Sequence, residues 1–224
     1  MNLNRLGPLL AVILLATPAQ AGIIFSSFGP GDSYDPYEGL GIQGANNEFR
    51  LPSLSQGFAF MPLSNANLTQ IQVAFFGNDD PAISHLSLEL HSADALGNVG
   101  ALLESFSGLI APNDPAILTV DSLLRPTLSA GSQYYLIAIP GDSRAFIGWD
   151  YSFPQVNGRI YQDEGGTVTY SDNDALPAAR LIGISSVPEP SSLVLGSIGL
   201  MTVLTWTRLR RAHSKCRATP PTDW

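Results

Sequence analysis

From Ile83 to His91 the chain reads Ile-Ser-His-Leu-Ser-Leu-Glu-Leu-His, with Leu86, Leu88 and Leu90 on one side of an extended backbone and His85, Ser87, Glu89 and His91 on the other. A period of two is that of a strand with one buried and one solvated face. Short apolar runs of this kind recur between Gly22 and Ser186, punctuated by Gly and Pro, and no amphipathic stretch is long enough to demand a helix. The expected strands are 23–28, 56–61, 68–76, 86–92, 102–106, 117–120, 133–139, 145–149, 159–161, 167–170 and 179–184. In the third of these the alternation of Leu68, Ile71, Val73 and Phe75 slips by one residue between Leu68 and Ile71, which predicts a β-bulge. The glycine-rich segment 92–100 reads as a hairpin connection, and 29–40 reads as an irregular surface loop. The expected fold is all-β, a two-layer jelly-roll-like sandwich flanked by an N-terminal signal helix and a single C-terminal transmembrane helix.

The two ends differ from this middle. Arg5 precedes an apolar stretch from Leu9 to Ala16, followed by Thr17-Pro18-Ala19-Gln20-Ala21. That order is the one a secretory signal shows, with Ala19 and Ala21 at the small positions of the cleavage site. Residues 1–21 are therefore expected to be removed, and 22–186 to form the exported domain; a short buried helix is the competing reading. At the other end Ser191 to Thr207 carries no charge and is followed by Arg208, Arg210, Arg211, Lys215 and Arg217. A run of that length is at the short end of what spans a bilayer. Trp206 at its border and the basic cluster beyond it favour a span with a cytoplasmic tail over a core helix. Val187-Pro188-Glu189-Pro190-Ser191 is a stiff extended linker, since its two prolines suit neither a ladder nor a helix interior.

Charge separates the parts. Between Gly22 and Val187 there are 17 Asp and Glu against five Arg and no Lys. So acidic a domain repels phosphate backbones and anionic headgroups, which argues against nucleic-acid binding and leaves divalent cations or neutral polymers as partners. The one cysteine, Cys216, follows the expected span, so the domain has no disulfide framework and must rely on its core.

Little in the domain reads as catalytic machinery, and no enzymatic activity is expected. His85 and His91 stand on one solvated strand face roughly 20 Å apart at about 3.3 Å per residue, too far for one metal ion. Acidic pairs at Asp79-Asp80, Asp163-Glu164 and Asp172-Asn173-Asp174 fall in expected turns, which favour Asp and Asn for backbone reasons. Calcium is the hard cation such loops would hold, with Asp172 and Asp174 as first candidates. A glycosidase would need two facing carboxyl groups, and linear sequence does not bring Asp150 and Glu164 together. Tyr34, Tyr37, Tyr134, Tyr135, Trp149, Tyr151, Phe153, Tyr161 and Tyr170 are candidates for a sugar-stacking platform or for the core.

Pro188-Glu189-Pro190, the uncharged run and Arg208, Arg210 and Arg211 occur in that order, and together with the signal they resemble the PEP-CTERM sorting signal over residues 187–217. The resemblance implies export by a Gram-negative bacterium, inner-membrane anchoring through one helix, recognition and release by an exosortase-type membrane protease, and delivery to the cell surface or matrix in the company of exopolysaccharide or biofilm. Here the chain continues past the basic cluster, ending in a polar tail at 218–224, and permanent anchoring is the alternative fate. The middle domain is similar to choice-of-anchor β domains at 86–91 with 97–103, at 133–138 and at 146–149, which implies a sandwich and no known reaction. The expectation is a structural envelope or matrix protein; the alternative is a carbohydrate-binding surface module, calcium-dependent or not.

Overall fold

The alternation at Leu86, Leu88 and Leu90 is realised as a strand in which these three side chains are wholly buried and their neighbours partly solvated. The computed structural model describes residues 21–47, 50–78, 80 and 83–185. The signal segment through Gln20, the Pro188-Glu189-Pro190 motif, the expected span, Arg208, Arg210, Arg211 and Cys216 lie outside the described residues, as does the expected helix at each end.

Thirteen strands are present among the described residues: β1 (Ala21–Ser26), β2 (Tyr34–Gln43), β3 (Leu54–Phe60), β4 (Ala66–Phe76), β5 (His85–Ala93), β6 (Val99–Ile110), β7 (Ala116–Asp121), β8 (Thr127–Leu128), β9 (Tyr134–Pro140), β10 (Phe146–Ser152), β11 (Asn157–Glu164), β12 (Thr167–Ala175) and β13 (Ala179–Ser185). A 3-10 turn at Pro30–Asp32 precedes β2. Every pairing between named strands is antiparallel. The described residues thus form an antiparallel all-β sandwich. One layer is organised on β4, which pairs with β13, β7, β8 and, at Phe75 and Phe76, β10; β1 extends it from β13 and β2 from β10. The other layer runs β6-β5-β9-β3-β11-β12. A single pair, Gln43 with Leu54, joins the two.

Side chains of both layers meet in one core. Leu68, Ile71, Val73 and Phe75 of β4, Ile147 and Trp149 of β10, and Leu181 of β13 face Phe58, Leu86, Leu88, Leu90 and Leu136. Trp149 is wholly buried, its ring centroid 5.5 Å from that of Phe58 and 5.1 Å from that of Phe75, and its indole N–H donates to Ala178 O at 3.1 Å. The ring thus fills the centre of the sandwich without leaving its one polar atom unpaired. β9, Tyr-Tyr-Leu-Ile-Ala-Ile-Pro, is apolar on both faces because both are covered: Leu136 and Ala138 face the main core, while Tyr135 and Ile137 lie under Tyr161 and Tyr170 on the outer side.

The slip expected in β4 is a bulge. Ile182 pairs with Gln70 and Gly183 with Leu68, so Thr69 is the extra residue. The expected loop at 29–40 is corrected in its second half, since Tyr34–Gln43 is a ten-residue strand against β10. Its pairing jumps from Gly39–Asp150 to Asp35–Tyr151, leaving Pro36, Tyr37 and Glu38 as an excursion in which Tyr37 has φ of 67°. Proline has no N–H for a ladder, and glycines on either side dilute the apolar pattern, so the strand is hidden from periodicity. Gly39 fits only because it lacks a side chain: a Cβ there would stand 1.9 Å from Trp149 O.

Candidate functional site

The excursion in β2 forms one wall of a cleft of about 690 Å³ whose other walls come from β3, β10, β11, β12 and the segment after β10. Its floor is Leu40 and Ile160, both in the main core. Around that floor stand three carboxylates, Asp35, Glu38 and Asp174, and three amides, Gln56, Gln155 and Gln162, with Tyr151 and Phe153 supplying aromatic surface. The Tyr151 hydroxyl is pushed above its ordinary range by burial and then by the charges of Asp174 and Glu38, so those two carboxylates converge on it from different strands. Gln56 is 7% exposed and its amide N–H donates to Gly41 O at 3.0 Å, which fixes the amide against β2. Val156 N–H donates to Ser152 Oγ at 2.8 Å, and the Ser33 hydroxyl donates to Phe153 O, so the segment carrying Phe153 is held at both ends. Such a mixture of acceptors, donors and ring faces over an apolar floor suits a polyhydroxylated ligand. Neither His85 nor His91 lines the cleft.

Asp172 and Asp174 have different surroundings. They belong to β12 rather than to a turn, and between the pairs Gly158–Asp174 and Ile160–Ser171 the strand carries one extra residue, with Asn173 at φ of 67°. In a regular strand residues two apart share a face, and one inserted residue reverses that. Asp174 accordingly lines the cleft, where the Ser171 hydroxyl donates to it, while Asp172 is exposed with its carboxylate 3.7 Å from Arg159. Among the described residues no group of three or more His, Cys, Asp or Glu is placed to hold a metal ion.

The remaining candidates are dispersed. Asp163 accepts from Gly166 N–H at 2.8 Å in the β11–β12 turn, Glu164 ends β11, Asp80 lies in the connection between β4 and β5, and Asp79 lies outside the described residues. Both ring nitrogens of His91 face acceptors, Glu89 Oε2 at 2.9 Å and Gly100 O at 3.2 Å, which ties the ring to its own hairpin. Most of the candidate aromatics are consumed by packing. Trp149 and Tyr134 are core, Tyr34 packs on Phe28, and Tyr135, Tyr161 and Tyr170 form the outer cluster capped by Arg159 at 4.7 Å from the Tyr170 ring. Tyr151 and Phe153 line the cleft, and Tyr37 is largely exposed.

Asp150 was legible as an acid but not as a buried one. It is fully enclosed on β10, with Oδ1 accepting from Tyr37 N–H at 2.9 Å and Oδ2 unpaired. Burial pushes its carboxyl up to about 7, against the Tyr37 N–H, which lowers it, and with the charge of Asp35, which raises it further. It lies behind the β2 excursion and lines no part of the cleft; nor does Glu164.

Comparison with protein-family models and with curated proteins finds no match to this chain.

Proposed function

We propose that the chain is an exported cell-envelope or extracellular-matrix protein of a Gram-negative bacterium, sorted through a PEP-CTERM-type signal at 187–217 and released by an exosortase-type membrane protease. Its role in this reading is structural, in the company of exopolysaccharide or biofilm, and its sandwich is of jelly-roll type. The observation that carries the proposal is the ordered series of Pro188-Glu189-Pro190, an uncharged run and Arg208, Arg210 and Arg211 behind a secretory signal. The architecture is compatible with it. β1 pairs with β13, which ends at Ser185, and the expected cleavage would take only Ala21, the exposed first residue of β1, while the core begins at Ile24. Replacing Pro188, Glu189 and Pro190 together by Ala tests it: the domain should still be exported but stay in the inner-membrane fraction, read by intact mass and terminal sequencing. Unchanged release would refute the sorting role.

The cleft favours a second reading, a carbohydrate-binding surface module. Tyr151 and Phe153 beside Gln56, Gln155 and Gln162 provide the apolar face and polar edge that a sugar ring requires. Glycan-array binding lost on Tyr151→Ala would support it, and binding that survives that change would place the sugar elsewhere.

A further inference from the structure

The four most exposed large apolar side chains among the described residues, Leu123 (88%), Leu96 (82%), Leu63 (80%) and Leu124 (70%), gather at one end of the sandwich. Strand pairing defines that end. Ala66 at the start of β4 pairs with Ser185 on one side and Leu128 on the other, and Tyr134 at the start of β9 pairs with Phe60 and Ser92. The connections 61–65, 94–98 and 122–133 therefore lie together, and the chain enters at Ala21 and leaves at Ser185 beside them. Connection 61–65 is tied to β1 through Leu63 N–H to Ile24 O at 2.8 Å and to 122–133 through Gly131 N–H to Pro62 O at 3.4 Å, and 122–133 is tied to 94–98 through the Gln133 amide N–H to Gly97 O at 3.2 Å.

The leucines are held outward. Glu104 of β6 is 4% exposed, and its carboxylate accepts from the Ser122 hydroxyl at 2.6 Å, Leu123 N–H at 2.7 Å and Leu124 N–H at 3.0 Å. A buried charge with three donors fixes the loop backbone, so Leu123 and Leu124 stay in solvent rather than turning onto the protein. Leu96 N–H is likewise fixed by Asp94 Oδ1 at 2.8 Å. Nearby acids are occupied: Asp94 also accepts from Asn98 N–H, and Asp121 accepts from Gln70.

Chain length says what this end meets. Residues 186–190 are all that separates Ser185 from the uncharged run that begins at Ser191. Five residues reach about 18 Å at most, and a leaflet's polar layer is roughly 5–8 Å thick. β4 alone, at about 3.3 Å for each of its eleven residues, is longer than that tether. We propose that Leu63, Leu96, Leu123 and Leu124 form an apolar foot that rests in the bilayer interface while the chain is anchored. The inference rests on the anchored reading above. Because the domain is acidic, the contact is apolar insertion rather than attraction to headgroups.

The test uses the full chain carrying Cys216→Ser, with Leu63→Cys, Leu124→Cys or, at the opposite end, Ile110→Cys, labelled with an environment-sensitive fluorophore and reconstituted into phosphatidylcholine vesicles. Lipid bearing a shallow doxyl quencher should quench the probes at 63 and 124 at least about two-fold and leave the probe at 110 unchanged. Equal quenching at all three positions, or none at 63 and 124, would overturn the foot; so would a blue shift there without doxyl quenching, which would put a second copy against them. Flotation separates the premises: a chain that fails to float overturns the anchored reading and the foot with it, whereas a floating chain with unquenched probes overturns the foot alone.

Discussion

Asp150 gives the sandwich a titratable group where water does not reach. Its carboxyl is raised from 3.8 to about 7, chiefly by burial, so between those pH values the folded chain keeps a proton that the unfolded chain releases. The unfolded state then binds fewer protons than the native one, and stability falls as pH rises through that window, by an amount on the order of 4 kcal/mol. Stability from this group is fully present below the unfolded value and lost toward the folded one. Asp150→Asn keeps an acceptor for the Tyr37 N–H and has no proton to lose. Urea unfolding at about pH 5 and about pH 8 should show the parent chain losing stability over that interval and the variant losing much less; equal losses would mean that Asp150 is not the group responsible. Trp149, next along the strand, acts through volume instead. Trp149→Ala empties the space between Phe58 and Phe75 and removes one of the two donors to Ala178 O, leaving the Ala74 N–H, with an expected loss of about 3–5 kcal/mol in the same measurement.

Asn173 shows how one residue decides what a strand presents. Its left-handed backbone absorbs the extra residue in β12 and lets Asp172 and Asp174 leave in different directions. Asn tolerates that conformation and a β-branched side chain does not. Asn173→Val should cost about 1–2 kcal/mol, while Asn173→Gly should be close to neutral. Thermal melts of the two variants check this, and equal effects would refute the role of the bulge. The same bulge explains why the candidate site was poorly legible: Asp-Asn-Asp reads as a turn, and nothing local reveals that the alternation reverses within a strand. β2 was missed for a related reason, since its Pro36–Glu38 excursion breaks the period and Asp150, a side chain from another strand, supplies the Tyr37 N–H with its partner. Where the period is unbroken, as in β5, or slips by one clean step, as at Thr69 in β4, the sequence sufficed. The cleft lay beyond it altogether, because its walls come from five strands spread from Asp35 to Ala175.

The sandwich joins its first and last described strands. β1 pairs with β13 and buries Ile24 to 2% exposure, while Phe25 lies 5.6 Å from Phe58 and 5.2 Å from Phe60. The segment between Gly22 and Val187 has no cysteine, so its stability is that of the core and the ladders, and reducing agent should leave its melting temperature unchanged. Removing what precedes Gly22 and follows Ser186 costs one terminal pair, Ala21 with Ile184, and no buried side chain among the described residues. A chain of residues 22–186 should therefore melt close to the full chain in detergent. Removing β1 as well, to leave 27–186, strips the outer edge of β13 and uncovers Ile24's site, with an expected loss of at least about 3 kcal/mol. For a domain of this size that is roughly 6–12 °C in melting temperature. If 27–186 melts with 22–186, β1 is dispensable and the first strand does not hold the fold shut. If 22–186 itself melts far below the full chain, the ends are part of the fold and could not be released as the sorting reading requires.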